Sequence, residues 1–142
     1  MMQKRFLLVF FALAGLLLLV ACGGGGNESG EAATEEAVGD PVRGEQLYKQ
    51  TTIGSASAPG CITCHSLEEG VQLVGPSHAG VATRAETAVP GMSAEEFLRE
   101  SIIDPDAHVA EGFTPGIMYP NYGNELSEQD INDLVAFLLT LK

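Results

Sequence analysis

The sequence predicts a small all-α domain, three to five helices joined by long loops, and three observations carry that prediction. No stretch alternates apolar and polar residues as a half-buried strand does. Helix-start signals stand at Asp40-Pro41, at Ser93-Ala94-Glu95-Glu96 and at Ser127 with Asp130 three residues on. The chain has 142 residues, enough for one ordinary domain behind a leader and a linker and too few for two substantial cores.

In chain order the leader comes first. Residues 1–21 open with Lys4 and Arg5, run apolar from Phe6 to Val20, and meet Cys22 in Leu19-Val20-Ala21-Cys22. This is the pattern of a bacterial lipoprotein export signal: small residues admit a signal peptidase, and Cys22 supplies a thiol for a lipid thioether. The 17 residues from Phe6 to Cys22 lie near the lower limit for crossing a hydrocarbon layer of ~30 Å, so an uncleaved anchor is the alternative. Cleavage before Cys22 removes two of the seven basic residues and none of the 19 acids, which takes the formal charge from −12 to −14. Residues 22–39 form a lipidated N-terminus and acidic tether, whose four consecutive glycines and four glutamates cannot offset the entropy of ordering. The domain at residues 40–142 then hangs from the outer face of a bacterial cytoplasmic membrane, on the periplasmic side or the cell surface, without entering it.

Asp40 caps a first helix with Pro41 at its first position, and the helix runs to about Gln50. Gly44 inside it costs about 1 kcal/mol relative to alanine, which a close helix crossing would explain. Thr51–Gly60 reads as a small polar insertion to which the sequence assigns no function. A middle helix from Ala94 to Ile103 buries Phe97, Leu98 and Ile102 and stops where Pro105 forbids continuation. The last helix, from Ser127 to about Leu139, places Ile131, Leu134, Val135, Leu138 and Leu139 on one stripe, with Glu128, Asn132 and Asp133 opposite.

Seven Lys and Arg against 19 Asp and Glu leave no phosphate-neutralising surface, which argues against nucleic acid as a partner. The acidity suits either a redox partner with a basic patch or simple solubility. With Cys22 lipidated, Cys61 and Cys64 remain as the one pair, in Cys61-Ile62-Thr63-Cys64-His65. Two thiols three apart on a helical turn face the same way and can add to the two vinyl groups on one edge of a haem, and the next imidazole then lies under the iron. Three other readings compete. A thioredoxin-like redox pair wants a βαβ context and an activated thiolate. Structural zinc wants four ligands. A disulfide between residues three apart closes too small a loop to stabilise much.

Four downstream residues are candidates for the second axial position: His78, Met92, His108 and Met118. Met92 directly precedes a helix start and reads as a loop or staple residue. His108 stands in a polar stretch and reads as solvated. Met118 lies between Pro115 and Pro120, which hold the chain extended, and sits 53 residues after His65, far enough to pass across a flat cofactor.

These stretches together resemble the class I c-type cytochromes, and most of all the small monohaem domains of bacterial respiratory complexes, including those fused to oxidase subunit II. The resemblance is carried by Gly44-Glu45-Gln46-Leu47-Tyr48, by CITCHSLE at residues 61–68, by Gly75-Pro76-Ser77, and by Glu100-Ser101-Ile102-Ile103-Asp104-Pro105. It continues with Glu111-Gly112-Phe113 leading to Met118, and with Leu126-Ser127. It implies a cytochrome c-like fold with loops wrapped around one covalently bound haem c, held by Cys61 and Cys64 and ligated by His65 and Met118. It further implies that the carbonyl of Pro76 accepts a hydrogen bond from His65, that Arg84 pairs with a haem propionate, and that the terminal helices cross with Gly44 and Tyr48 against Phe137. For Arg84 an exposed surface role is the alternative. Two residues depart from the family: Tyr119 separates Met118 from Pro120, and His78 stands where an apolar side chain is usual. His78 is either a half-buried neutral imidazole or a group that titrates near the haem and makes its potential depend on pH.

The function implied is single-electron transfer in a respiratory or related chain. It is a carrier's role, not an enzyme's, with no small-molecule substrate. The partners implied are redox proteins such as a quinol-oxidising complex and a terminal oxidase. The alternatives are an integral haem subunit of such a complex, or a five-coordinate gas- or peroxide-reactive haem if Met118 does not ligate.

Overall fold

The computed structural model describes residues 38–142; the export signal, Cys22 and the tether up to residue 37 lie outside the described residues. Five α-helices occur among them: α1 (Pro41–Tyr48), α2 (Val81–Ala85), α3 (Ala94–Ile103), α4 (Tyr122–Glu125) and α5 (Glu128–Leu138). A single 3-10 turn covers Cys61–Thr63, and two two-residue strands, β1 (Thr52–Ile53) and β2 (Ala58–Pro59), pair antiparallel. No helix among the described residues is long and apolar enough to cross a membrane.

The three helix starts read from the sequence are built as expected. Asp40 accepts from the amides of Val42 (2.9 Å) and Arg43 (3.3 Å), and Pro41 contributes no amide that needs a partner. Ser93 with Glu96, and Ser127 with Asp130, each form a reciprocal capping box. α1 ends at Tyr48, two residues short of Gln50, because the chain turns there toward β1 and the Gln50 amide closes a tighter loop on the Leu47 carbonyl at 3.1 Å.

α1 crosses α5, and Gly44 is the point of closest approach. A Cβ at Gly44 would lie 1.9 Å from the Asp133 carbonyl oxygen and 2.8 Å from Phe137 Cβ, so only glycine fits. One turn on, Tyr48 packs on Phe137 with ring centroids 5.3 Å apart. The sequence-based pattern for α5 needs a correction here. Asp133, placed on the polar face, is fully buried. Its Oδ1 accepts from the Asp40 amide (2.7 Å) and from Gln129 Nε2 (2.8 Å), while Arg43 Nη1 lies 3.2 Å from Oδ2. α1 covers that side of α5, and a buried carboxylate is tolerated because donors meet it.

Thr51–Gly60 is also more than a polar insertion. Thr52 faces Pro59 and Ile53 faces Ala58 in a two-rung hairpin whose Ile53 and Ala58 side chains are buried in the core. Strands of two residues are too short for alternation to register in a sequence. The long connections between the 3-10 turn and α2, and between α3 and α4, line the cavity described next.

Candidate functional site

The 3-10 turn points the amides of Cys64 and His65 at the Cys61 carbonyl, at 3.1 and 2.9 Å, so the motif bends around its own first residue. Thr63 Oγ1 donates to the Gly60 carbonyl at 2.6 Å and holds the turn from outside. Cys61 and Cys64 are free thiols. Burial pushes the Cys61 thiol up to about 11, the opposite of the thiolate activation that a thioredoxin-like pair requires. The described residues contain no group of three or more His, Cys, Asp or Glu placed to hold a metal ion, so the zinc reading lacks its ligand set.

His65 is buried, and its Nδ1–H donates to the Pro76 carbonyl at 2.9 Å. A carbonyl only accepts, so this bond places the proton on Nδ1 and leaves the Nε2 lone pair free for a metal. Burial lowers the imidazole's pKa and favours the neutral, ligating form. Gly75 lies flat against the ring: a Cβ there would be 2.4 Å from His65 Cε1, and any side chain would push the imidazole off the Pro76 carbonyl. The Gly75 amide in turn donates to the Cys64 carbonyl at 2.9 Å, which ties the Gly-Pro segment to the thiol turn.

His65, Cys61, Cys64, Met118, His78 and Arg84 all line one cavity of about 1060 Å³. That lies at the upper end of the ~300–1,000 Å³ usual for ligand sites. Its wall is largely apolar, with Leu98, Ile102, Leu134 and Leu138 beneath it. Met92 is absent from this wall and borders a separate surface depression. His108 lines the cavity, contrary to the solvated position expected of it. It is half-buried, 3.0 Å from Glu100 Oε2 and stacked on Phe97, because the segment after α3 folds back over that helix.

His78 stacks on His65, ring centroids 4.0 Å apart, and its Nδ1 shares a hydrogen bond with the Tyr48 hydroxyl at 3.1 Å. The same hydroxyl donates to the His65 carbonyl at 3.2 Å. Burial, then the neighbouring His65 and Arg84, push the His78 pKa down to about 3, which favours the neutral imidazole over the titrating group. The unfolded chain takes up a proton here between about pH 6.5 and about pH 3 that the folded chain refuses, so stability falls as pH drops through that window. In His78→Leu this part of the pH slope is expected to shrink by about one proton. Urea unfolding across the window measures it, and an unchanged slope would show that His78 titrates normally. The reduction potential is expected to show no His78-dependent change between about pH 5 and about pH 9.

Arg84 is exposed and donates to the carbonyls of Ala79 (2.5 Å) and Ser77 (2.6 Å), clasping the turn before α2 while it borders the cavity. Three contributors were not legible in the sequence. Tyr48 supports the His65 backbone, and the β1–β2 hairpin leads into Cys61. Tyr122 donates from its hydroxyl to the Pro59 carbonyl at 2.5 Å. Tyr48 did stand in a recognised stretch, but its hydroxyl partner comes from a residue 17 positions away. Compared with known proteins, the chain matches the family model described as Cytochrome c over residues 41–142.

Proposed function

The chain belongs to the cytochrome c family, and from that premise we propose that it is a membrane-tethered monohaem carrier of a respiratory or related chain, with His65 and Met118 as its axial pair. Membership makes it a haem-based electron carrier with covalently attached haem c, and Cys61-Ile62-Thr63-Cys64-His65 fits the attachment motif. The observation that carries the finer reading is convergence: two free thiols, an imidazole with Nε2 unencumbered and the Met118 thioether border one cavity of about 1060 Å³.

When bound, the haem supplies one-electron cycling between ferric and ferrous iron. The chain's residues do the rest. Cys61 and Cys64 would hold the group by thioether bonds. Pro76 keeps the His65 ring oriented and raises its basicity. Met118 would offer a neutral sulfur that favours the reduced state and raises the potential, and the apolar wall would penalise the extra positive charge of the oxidised state. If His65 and Met118 both ligated the iron, neither of its axial positions would be left for a substrate. Arg84, exposed at the cavity rim, is suited to meet a propionate.

The lipobox-like Leu19-Val20-Ala21-Cys22 and the acidic tether support anchoring at Cys22 on the outer face of the cytoplasmic membrane. A quinol-oxidising complex would then supply the electron and a terminal oxidase accept it. The test is spectroscopic. Membrane fractions are expected to yield a protein whose haem stays attached in alkaline pyridine, is reduced by dithionite, and when ferric shows the weak near-infrared band of thioether ligation. Mass spectrometry of the mature N-terminal peptide is expected to find the lipid on Cys22, and Cys22→Ser is expected to keep its leader uncleaved, because the lipid is added to the thiol before the cut. A colourless mature product would overturn the haem reading, and a Cys22 found without lipid would overturn the lipid anchor.

A further inference from the structure

We propose that Tyr119, Glu125 and the β1–β2 hairpin form a clamp that holds the Met118 loop against the Cys61 end of the site, with Tyr119 and Glu125 as positioning residues. The inference rests on Met118 being the axial ligand and says what keeps its sulfur in place.

The loop around Met118 has little of its own to hold it. Pro115 and Pro120 bring no amides, and the segment between α3 and α4 has no regular ladder. On the N-terminal side one exposed bond ties it down, from the Gly116 amide to Asp106 Oδ1 at 2.8 Å. On the C-terminal side the ties are denser. The Tyr119 hydroxyl, one residue after Met118, donates to Glu125 Oε1. The Tyr119 ring meets Tyr122 edge to face, centroids 5.2 Å apart.

Glu125 and Tyr122 are in turn bound to the hairpin. The Ser55 amide donates to the Glu125 carbonyl at 3.3 Å, and the Tyr122 hydroxyl donates to the Pro59 carbonyl at 2.5 Å, two residues before Cys61. Gly54, at φ +77°, sits over Glu125; a Cβ there would lie 3.0 Å from Glu125 Cβ, in a backbone conformation that side chains rarely adopt. A continuous path of contacts therefore runs from Met118 through Tyr119, Glu125 and Tyr122 to Pro59 and Cys61. The path gives a task to Tyr119, one of the two departures from the family, and to the Thr51–Gly60 segment, to which the sequence assigned no function.

The test uses the full-length haem-loaded protein and the variants Tyr119→Phe, Glu125→Leu, their double, Glu125→Gln and Tyr122→Phe. Cyanide binding to the ferric protein reports how often the Met118 loop leaves the iron, and the near-infrared band reports the bound fraction. Tyr119→Phe and Glu125→Leu are each expected to speed cyanide binding roughly fivefold to tenfold, the equilibrium worth of one hydrogen bond. The double is expected to add little beyond either single, because both remove the same contact. Glu125→Gln keeps an acceptor and is expected to restore most of the wild-type rate, while Tyr122→Phe shifts it in the same direction as Tyr119→Phe. Variants that melt lower yet bind cyanide within about twofold of wild type would reduce the cluster to ordinary packing and overturn the clamp. A wild-type protein without the near-infrared band would remove Met118 as the ligand and the clamp with it, a result distinguishable from the first.

Discussion

A Cys61→Ala/Cys64→Ala chain is expected to lose most of its helical circular dichroism. α2 has five residues and α4 four, far below the ~12–15 at which a helix holds in water by itself, so their order comes from packing. The core they pack on surrounds a cavity of about 1060 Å³. Measured core voids cost ~24 cal/mol per Å³, and even a modest fraction of that rate over this volume would consume the ~5–15 kcal/mol by which a domain is stable. Without the thioethers nothing covalent keeps a porphyrin there, and the apolar wall meets water or collapses. The variant is expected to show weak helical signal and a broad, non-cooperative thermal transition. Native helicity with a sharp transition would show that the polypeptide core suffices without the haem.

Gly44→Ala is expected to destabilise the domain by about 3 kcal/mol, the upper end of what overpacking costs. That lowers the thermal midpoint by more than ~10 °C for a domain of this size. Helix propensity argues the other way, since alanine is better than glycine inside a helix by about 1 kcal/mol. Sterics decide, because the added Cβ would stand 1.9 Å from the Asp133 carbonyl oxygen, and backbone cannot yield as a flexible side chain does. Separating α1 from α5 would also pull the Asp40 amide and Arg43 from Asp133, stranding a fully buried carboxylate. An unfolding midpoint at or above the wild-type value would mean that the helices rearrange without loss, and that propensity governs this position.

The contrast between Gly44 and Asp133 shows where sequence reading stops. An interior helix glycine is anomalous alone, so a close crossing was legible from one residue. Asp133 looks like any acid on a polar face. Its burial follows from which neighbour covers that face, and helical periodicity describes one helix at a time. The difference recurs at the site. Pro76 and His65 lie 11 residues apart in recognised stretches, and their hydrogen bond was expected from the resemblance and is present at 2.9 Å. His78 was legible as unusual, but whether it titrates depended on its stacking against His65 and its contact with Tyr48, which only assembled chain segments create.

By itself the sequence determined the haem-attachment spacing and where α1, α3 and α5 begin, but not the short α2 and α4 or the end of α1 at Tyr48. Attachment spacing, capping boxes and proline stops act between residues a few positions apart, where chain connectivity already sets the distance. Only the tertiary structure decided which polar groups are buried, what the Thr51–Gly60 segment does and what stands behind Met118. Those outcomes depend on contacts between distant segments, and desolvation and hydrogen bonding take their sign from the partner that packing supplies.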